Sequence, residues 1–233
     1  MLLLTSEPAF AGSLAVNPVR VALSAKHATS ALTLRNGGTQ SSVVQLEVMS
    51  WSQENGKEIL VPTQDILATP PIFTVAAGAS QIVRVGLRQP VDPLRELSYR
   101  LILNEVPPPP AKDASALQVA LRISIPVFVT PKTNSAPVLQ WRADRTPQGE
   151  LRVALTNTGN IHVQIHHLSL TQAGAAEPLG SQQAGVYLLP AQGRDWTLKM
   201  NSPPLGTTLR ATAMTDAGPL KADVVIGERT EPN

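Results

Sequence analysis

The segment Leu117-Gln118-Val119-Ala120-Leu121-Arg122-Ile123-Ser124-Ile125-Pro126 alternates more regularly than any other part of the chain. Its odd-numbered positions are large aliphatic residues, and its even-numbered positions are small or polar. This period of two predicts a β-strand with one apolar face, which we place at Leu117–Val129. Pro126 cannot donate a ladder hydrogen bond, so a strand that is paired on both sides is not expected at that point.

The aliphatic face of this strand allows two interpretations. It can be the inner face of a sandwich and belong to the core of its own domain. Alternatively, the first half of the strand projects past its own sheet and leaves its aliphatic side chains bare, an aggregation hazard unless a partner uses the edge for β-augmentation. Four such side chains would contribute on the order of 6–12 kcal/mol when a partner buries them, before the cost of association.

Alternating strands continue on both sides of this segment, with Gly, Pro, Asn or Asp between them. The strands predicted before it are Leu14–Leu23, Ser30–Arg35, Val43–Gln53, Gln81–Leu87 and Ser98–Val106. The strands predicted after it are Leu139–Ala143, Glu150–Asn157, His162–Leu170, Val186–Leu189, Trp196–Met200, Thr208–Met214 and Leu220–Val225. The sequence contains no convincing amphipathic helix and therefore predicts an all-β protein made of antiparallel sandwiches. Asn157-Thr158-Gly159-Asn160 is interpreted as a hairpin turn.

The length of 233 residues suits two domains of about 100 residues each. The Pro- and Asn-containing stretch 131–137 is the predicted boundary, which gives domains at 12–131 and 132–233. Residues 1–11, which begin with Met1-Leu2-Leu3-Leu4 and end with Ala9-Phe10-Ala11, resemble the end of a secretory signal and are expected to be a truncated remnant of one. The run Pro107–Pro110 starts a long connection that leads into the predicted strand Leu117–Val129. This connection is either a functional loop or an ordinary solvated loop.

Composition excludes several classes of function. The chain has no cysteine, which excludes disulfides, cysteine-ligated zinc and thiol catalysis. A net charge of +2 with scattered Lys and Arg does not favour nucleic-acid binding, and no apolar stretch is long enough to span a membrane.

His162 and His166 lie four residues apart in a strand pattern, about 13 Å apart, which argues against a metal site and favours solvent exposure. Phosphate-binding loops and nucleophile elbows are missing from the sequence, so we expect neither a cofactor nor catalysis.

Four stretches together resemble the PapD-like periplasmic pilus chaperones. They are Asn17-Pro18-Val19-Arg20-Val21, Ala68-Thr69-Pro70-Pro71-Ile72-Phe73, the segment from Arg95-Glu96 to Pro107-Pro108, and Leu117–Arg122. Their order and spacing carry the resemblance, which covers residues 13–132 well and the second domain loosely. The stretch Arg122–Val129 is similar to the divergent branch of the family that serves archaic or spore-coat-like pilus subunits.

The resemblance implies two immunoglobulin-like β-sandwich domains set at an angle, with a cleft between them. It implies a non-enzymatic periplasmic chaperone that binds and folds pilus or fimbrial subunits by donor-strand complementation and delivers them to an outer-membrane usher. No cofactor, metal, nucleic acid or membrane span is implied, and the free protein is expected to self-associate through its bare edge. Leu117, Val119, Leu121, Ile123 and Ile125 fall on the donor-strand positions of the family.

The family anchors the C-terminal carboxylate of the subunit with two basic residues. Arg20 falls on the first of these positions, and an arginine suits the role because its fork can bind both carboxylate oxygens. The second position, a Lys late in the donor strand, falls on Pro126, which has neither a charge nor an amide donor. A replacement is therefore needed, and Arg100 is our first choice and Arg122 our second.

The leading alternative is a secreted structural or adhesion module with two immunoglobulin-like domains. In such a module the aliphatic face from Leu117 to Ile125 would be covered by its own domain, whereas in a chaperone it would be exposed. A surface enzyme or carbohydrate binder is a third possibility. It requires a converging polar or aromatic cluster that the sequence does not show.

Overall fold

The computed structural model describes residues 14–107, 119–172, 174–201 and 204–228. Every regular element within these ranges is a β-strand, which confirms the prediction of an all-β protein. The same ranges contain no helix that could cross a membrane. The predicted signal remnant at 1–11 and the donor residue Leu117 lie outside the described residues.

The chain divides into two compact units. The first consists of the described residues up to Trp51 together with Leu60–Val91 and Leu97–Lys132. The second begins at Thr133 and also takes in two short earlier segments, Ser52–Ile59 and Asp92–Glu96. The main boundary between the two units therefore follows Lys132. The units are nevertheless not continuous in sequence, because two short segments before this boundary belong to the second unit.

Ten strands of the described residues form two sheets, which belong to the first unit except for the parts of β4 and β5 within Ser52–Ile59. They are β1 (Leu14–Asn17), β2 (Val21–Leu23), β3 (Thr29–Asn36), β4 (Ser42–Glu54), β5 (Lys57–Pro62), β6 (Ile66–Thr69), β7 (Ile72–Val75), β8 (Ser80–Leu87), β9 (Leu97–Val106) and β10 (Arg122–Val129). One sheet has the order β1-β3-β8-β6, and the other has the order β2-β10-β9-β4-β5, with β7 paired to the start of β4. The sequence pattern missed β5, β6 and β7, which are short and bounded by turns.

The core of the first unit follows the period-two pattern. Leu34, Val83, Leu101 and Val127 come from strands of both sheets and are all 0% exposed. Because alternate residues of a strand point to opposite faces, each strand gives one set of side chains to this core. The core therefore fixes which face of β9 and β10 looks inward.

The predicted first strand, Leu14–Leu23, is in fact two strands in different sheets. β1 pairs antiparallel with β3, whereas β2 pairs parallel with β10. The bond between Asn17 and Pro18 in the connection is cis. Pro18 has no amide hydrogen and cannot continue the ladder with β3, so the chain changes sheets there.

The described residues of the second unit form seven strands. They are β11 (Leu139–Arg145), β12 (Leu151–Asn157), β13 (Val163–Gln172), β14 (Pro178–Leu188), β15 (Gly193–Leu198), β16 (Thr208–Thr215) and β17 (Gly218–Glu228). Their order is β14-β13-β16-β17-β11-β12-β15. β17 pairs with β16 along most of its length and joins β11 only at its end, so it connects two groups of strands that enclose a separate apolar core.

The predicted hairpin at Asn157-Thr158-Gly159-Asn160 is wrong. β12 pairs with β11 and β15, and β13 pairs with β14 and β16, so the turn crosses between strands that are not neighbours. Asn157 is 0% exposed, and its Nδ2 donates to the carbonyls of Ile161 and Leu188 at 2.8 and 3.0 Å. A Cβ on Gly159 would lie 2.3 Å from the carbonyl oxygen of Ala136, so this close approach requires glycine. The motif is a crossover loop closed by a buried amide.

We expect Leu101→Ala to lower the free energy of unfolding by about 2–5 kcal/mol, because it opens a cavity at a fully buried site. Val119, which is 67% exposed, is the matched position beyond the core. Val119→Ala should change the unfolding free energy by less than about 0.5 kcal/mol. Urea denaturation of both variants measures the difference, and a similar loss for both would mean that Val119 belongs to the core.

Candidate functional site

Strand β10 is paired along its whole length on one side only. Its ladder with β9 runs from Arg122 opposite Asn104 to Val129 opposite Leu97. On the other side, β2 pairs only with Val127–Val129. No strand among the described residues pairs with 122–126 on that side. This half of β10 is therefore an open sheet edge.

The two flanking hydrogen bonds show which backbone groups point to the open edge. The Thr130 amide donates to the Leu23 carbonyl at 2.9 Å, towards β2, and the Glu105 amide donates to the Leu121 carbonyl at 2.8 Å, from β9. Because the N–H and C=O groups of a strand alternate in direction, even-numbered residues of β10 point towards β2 and odd-numbered ones towards β9. Arg122 and Ser124 therefore present their N–H and C=O groups at the open edge.

Pro126 is the next even-numbered residue, and the amide hydrogen that it lacks would point to the side of β2. It consequently costs no hydrogen bond to β9, where its cross-strand neighbour is Arg100. It lies directly before the three residues that β2 covers. Pro126 thus marks the end of the open edge, which agrees with the general confinement of proline to edges.

Burial falls along the core-facing side of this segment. Ile125 is 3% exposed, Ile123 and Leu121 are partly buried, and Val119 is 67% exposed. The apolar face therefore leaves its own core gradually towards the start of the segment. Ile125 requires a correction: it belongs to the core of the first unit and is not a bare donor residue.

Two of the three predicted anchor arginines lie in one row across the sheet. Arg100 is opposite Pro126, and Arg20 directly precedes Val21, which pairs with Val127. Arg20 and Arg100 therefore flank Pro126, and two strand spacings place their Cα atoms about 10 Å apart. The side chain of Arg20 is exposed, whereas Arg100 is only 8% exposed.

The guanidinium group of Arg100 lies over the ring of Trp51. Its central carbon lies 3.7 Å from the centre of the Trp51 ring, and the Trp51 and Phe128 ring centres are 5.8 Å apart. An arginine whose face stacks on an indole keeps its N–H groups in the plane for hydrogen bonding. Trp51 alternates with the inward residues of β4 and contacts Arg100 on the opposite face of the strand.

Arg122 does not join this row. It is exposed and pairs with Asn104, four residues before Pro126 along β10. That offset corresponds to about 13 Å along the strand. The structure therefore brings Arg20 and Arg100 together but leaves Arg122 near the other end of the open edge.

Tyr99 fixes β9 from the core side, next to Arg100. Its hydroxyl donates to Asp65 Oδ2 at 3.2 Å and accepts from Gln89 Nε2 at 3.4 Å. Burial raises the pKa of the Tyr99 hydroxyl above its usual value. The neutral phenol is therefore a structural group that ties β9 to the opposite sheet, and we assign it no chemical role.

The histidines form no metal site in the part of the chain that the structure describes, where no three His, Cys, Asp or Glu side chains come together suitably. The expectation that His162 is exposed to solvent is wrong. Its Nδ1 lies 2.7 Å from Glu96 Oε1, which also accepts a 3.0 Å hydrogen bond from the His162 amide. Both residues belong to the second unit, and this contact attaches the segment Asp92–Glu96 to it.

An all-β chain with two units, the first carrying a half-open strand, has the architecture of two-domain immunoglobulin-like proteins. The profile of the family described as pili and flagellar-assembly chaperone, PapD N-terminal domain, matches residues 13–135. This match spans more than half of the chain, and the chain therefore belongs to that family. It confirms the resemblance found in the sequence.

Individual relatives agree with this assignment. The chaperone protein PapD of Escherichia coli is 32% identical over 85 residues, which is 35% of this chain and 35% of that protein. The chaperone–tip adhesin subunit complex CsuC–CsuE of archaic Csu pili from Acinetobacter baumannii contains a chain with a TM-score of 0.69 and 22% identity, covering 93% of this chain and 100% of that one.

A chain from the complex of the SafA pilin with the SafB chaperone of Salmonella enterica has a TM-score of 0.62 and 19% identity, covering 93% of this chain and 98% of that one. At these identities the structural likeness shows the fold alone. The sequence match spans about a third of the length of PapD, 35%.

The alternation along β10 predicts a specific pattern of amide exchange in the free monomer. The amides of Arg122 and Ser124 should exchange at least about 100-fold faster than those of Ile123 and Ile125, because only the latter point to β9. Hydrogen–deuterium exchange followed by NMR measures each amide separately. Strong protection of Ser124 in the monomer would contradict the open edge, since it would require a further strand on that side.

Proposed function

We propose that this protein is a periplasmic chaperone that binds pilus or fimbrial subunits by lending them strand β10, and that it passes them to an outer-membrane usher. The open edge of β10, with side chains that change from buried at Ile125 to exposed at Val119, carries this proposal. The family match to assembly chaperones supports it. Strand donation needs neither a catalytic group nor a nucleotide, so we propose no enzymatic activity.

The edge offers a guest two kinds of interaction. The N–H and C=O groups of Arg122 and Ser124 can extend a guest sheet by main-chain hydrogen bonds, as in β-augmentation. Val119, Leu121 and Ile123 lie on the opposite side from the polar residues and can fill the core of a guest that lacks a strand. Full burial of three aliphatic side chains would contribute about 4–9 kcal/mol before association costs. Leu117 remains a predicted donor residue.

We propose that the row around Pro126 receives the C-terminal carboxylate of the guest. Arg20 supplies an exposed guanidinium on one side of Pro126, and Arg100 supplies one held in plane by Trp51 on the other. A bidentate carboxylate suits such a fork. The lysine that occupies the position of Pro126 in the family is then replaced by the cross-strand neighbour Arg100. Arg122 lies too far along β10 for this role.

The alternative of a secreted structural module requires that the donor face be covered by its own domain. The 67% exposure of Val119 and the open edge at Ser124 speak against that arrangement. The same features lead us to propose that the free chaperone self-associates through β10, because an uncovered apolar edge pairs readily with another strand.

Val119→Asp should abolish most subunit binding and leave the fold intact. A charge placed in the guest core is strongly unfavourable, whereas at a site that is 67% exposed in the free protein it costs little. We expect at least about a 100-fold loss of affinity for a co-expressed pilus subunit, measured by co-purification and titration, with an unchanged melting temperature.

Ile82→Asp is the matched control, because Ile82 is also an exposed aliphatic residue on a strand, at 51%, but lies in the other sheet. It should bind the subunit normally. Normal binding by Val119→Asp would refute strand donation from this segment. Leu121→Asp should also block binding, and outright unfolding of that variant would assign Leu121 to the core.

The anchor proposal predicts coupling between each arginine and the subunit carboxylate. Arg20→Ala and Arg100→Ala should each weaken binding roughly 10- to 100-fold, as expected for the loss of a charge-assisted hydrogen bond. The same substitutions should have little further effect on a subunit whose C-terminus is extended by two glycines, which displaces the carboxylate. Arg84→Ala, an exposed arginine on β8, is the control. Equal losses for both forms of the subunit would remove the arginine from the anchor.

A further inference from the structure

We infer that Glu105 is a positioning residue that holds Leu121, where the apolar face of the donor strand leaves its own core. This inference rests on the proposed strand donation for its functional meaning, but its structural part concerns the free protein. Glu105 lies near the end of β9, on the same face as the inward residues Leu101 and Leu103. It is the last residue of β9 that bonds to the chain leading into β10.

The carboxylate of Glu105 joins two other segments. Its Oε2 accepts a 3.1 Å hydrogen bond from the Leu121 amide, and its Oε1 accepts a 2.5 Å hydrogen bond from the hydroxyl of Ser42. Its own amide donates to the Leu121 carbonyl at 2.8 Å. Glu105 thus holds both main-chain groups of Leu121 that face β9. Ser42, only 8% exposed at the start of β4, holds the carboxylate from the other side.

This arrangement differs from a normal antiparallel pair. In a regular ladder the Leu121 amide would donate to the main-chain carbonyl of Glu105, since hydrogen-bonded pairs exchange both bonds. Here the side chain accepts instead, and the regular strand begins only at the next residue, Arg122. Because the Glu105 carboxylate takes the place of the Glu105 main-chain carbonyl as acceptor, the regular ladder ends at this point while Leu121 stays bound.

The contacts of Glu105 with Leu121 and Ser42, here called the clamp, lie where the apolar face of the strand changes from buried to exposed. Ile123 and Leu121 are partly buried, and Val119, two residues before Leu121, is 67% exposed. A fixed Leu121 sets the direction in which the preceding residues leave the sheet. Because ordering a segment before binding lowers the entropy lost on binding, such a clamp favours capture of a guest.

A carboxylate suits this position better than an amide. Both of its oxygens accept hydrogen bonds, and bonds to a charged acceptor are shorter and stronger than neutral ones. In glutamine the one amide oxygen can accept from the Leu121 amide and the NH₂ group can donate to the Ser42 hydroxyl, but both bonds are then neutral and weaker than those to a carboxylate. We therefore expect Glu105→Ala to weaken the attachment of Leu121 most and Glu105→Gln to weaken it less, relative to the wild type.

The first measurement is amide exchange of Leu121 in the free protein, by NMR. Glu105→Ala should speed exchange at Leu121 by at least about tenfold, and Glu105→Gln by less, while Leu101 and Leu103 stay protected. Asn104→Ala is the matched control, because Asn104 is the neighbour of Glu105 on β9 but points to the opposite face. Unchanged protection of Leu121 in Glu105→Ala would overturn the inference.

The second measurement is the dissociation rate of a co-expressed pilus subunit. We expect Glu105→Ala to release the subunit roughly 5- to 20-fold faster, Ser42→Ala to release it faster to a smaller extent, and Asn104→Ala to release it at the wild-type rate. An equal rate in Glu105→Ala, despite faster exchange at Leu121, would refute the positioning role. If Glu105→Ala does not fold, Glu105→Gln, which weakens the contacts of the side chain, and Ser42→Ala, which removes one of them, decide the same question by the same two measurements.

The two proposals fail in different ways. If the wild-type protein binds no pilus subunit while Glu105→Ala still loses protection at Leu121, strand donation is wrong and the clamp is only structural. If the wild type binds a subunit and Leu121 exchange does not depend on Glu105, strand donation stands and the clamp is wrong.

Discussion

The ladder between β9 and β10 is the constraint on which the site depends. It pairs β10 over its full length on one side, and because N–H and C=O groups alternate, every even-numbered residue must then face the other way. On that other side, β2 pairs with only three residues of β10, Val127–Val129. The rest of β10 is held firmly by one neighbour and left open towards the other side. A strand attached in this way can accept a further strand on its open side without loss of its own fold.

Pro126 and its two neighbours in the row, Arg20 and Arg100, lie at one end of this open edge. Pro126 is tolerated because its missing donor falls on the side away from β9, and it separates the covered part of the edge from the open part. Its cross-strand position places Arg100 in the row with Arg20, and Trp51 holds the Arg100 guanidinium from its face. At the other end of the edge, Glu105 holds Leu121. The open edge thus has a defined end at each side, and this limits the register in which a further strand can pair with it.

Much of the fold follows from alternation alone. The strands around Leu34, Leu101 and Val127 are visible in the sequence because their inward residues are aliphatic at every second position. Alternation also led to wrong predictions, each with an identifiable cause. It joined β1 and β2, since a change of sheet leaves the pattern intact, and it did not separate Ile125 from Val119. Asn157 resembled a turn residue because a buried asparagine that closes a crossover loop has the same local sequence as a hairpin.

Side-chain periodicity and residue type are local properties, so the all-β class and the apolar face of β10 could be predicted from the sequence, whereas Arg20, Arg100 and Arg122 were suggested by the family resemblance. Where β10 is covered, the position of Arg100 opposite Pro126 and the contact of Trp51 with Arg100 could be learned from the fold alone. These are consequences of strand register, which depends on pairing between residues distant in sequence. The contact of Glu105 with Ser42 and Leu121 is of the same kind, since it joins three segments that no local pattern connects.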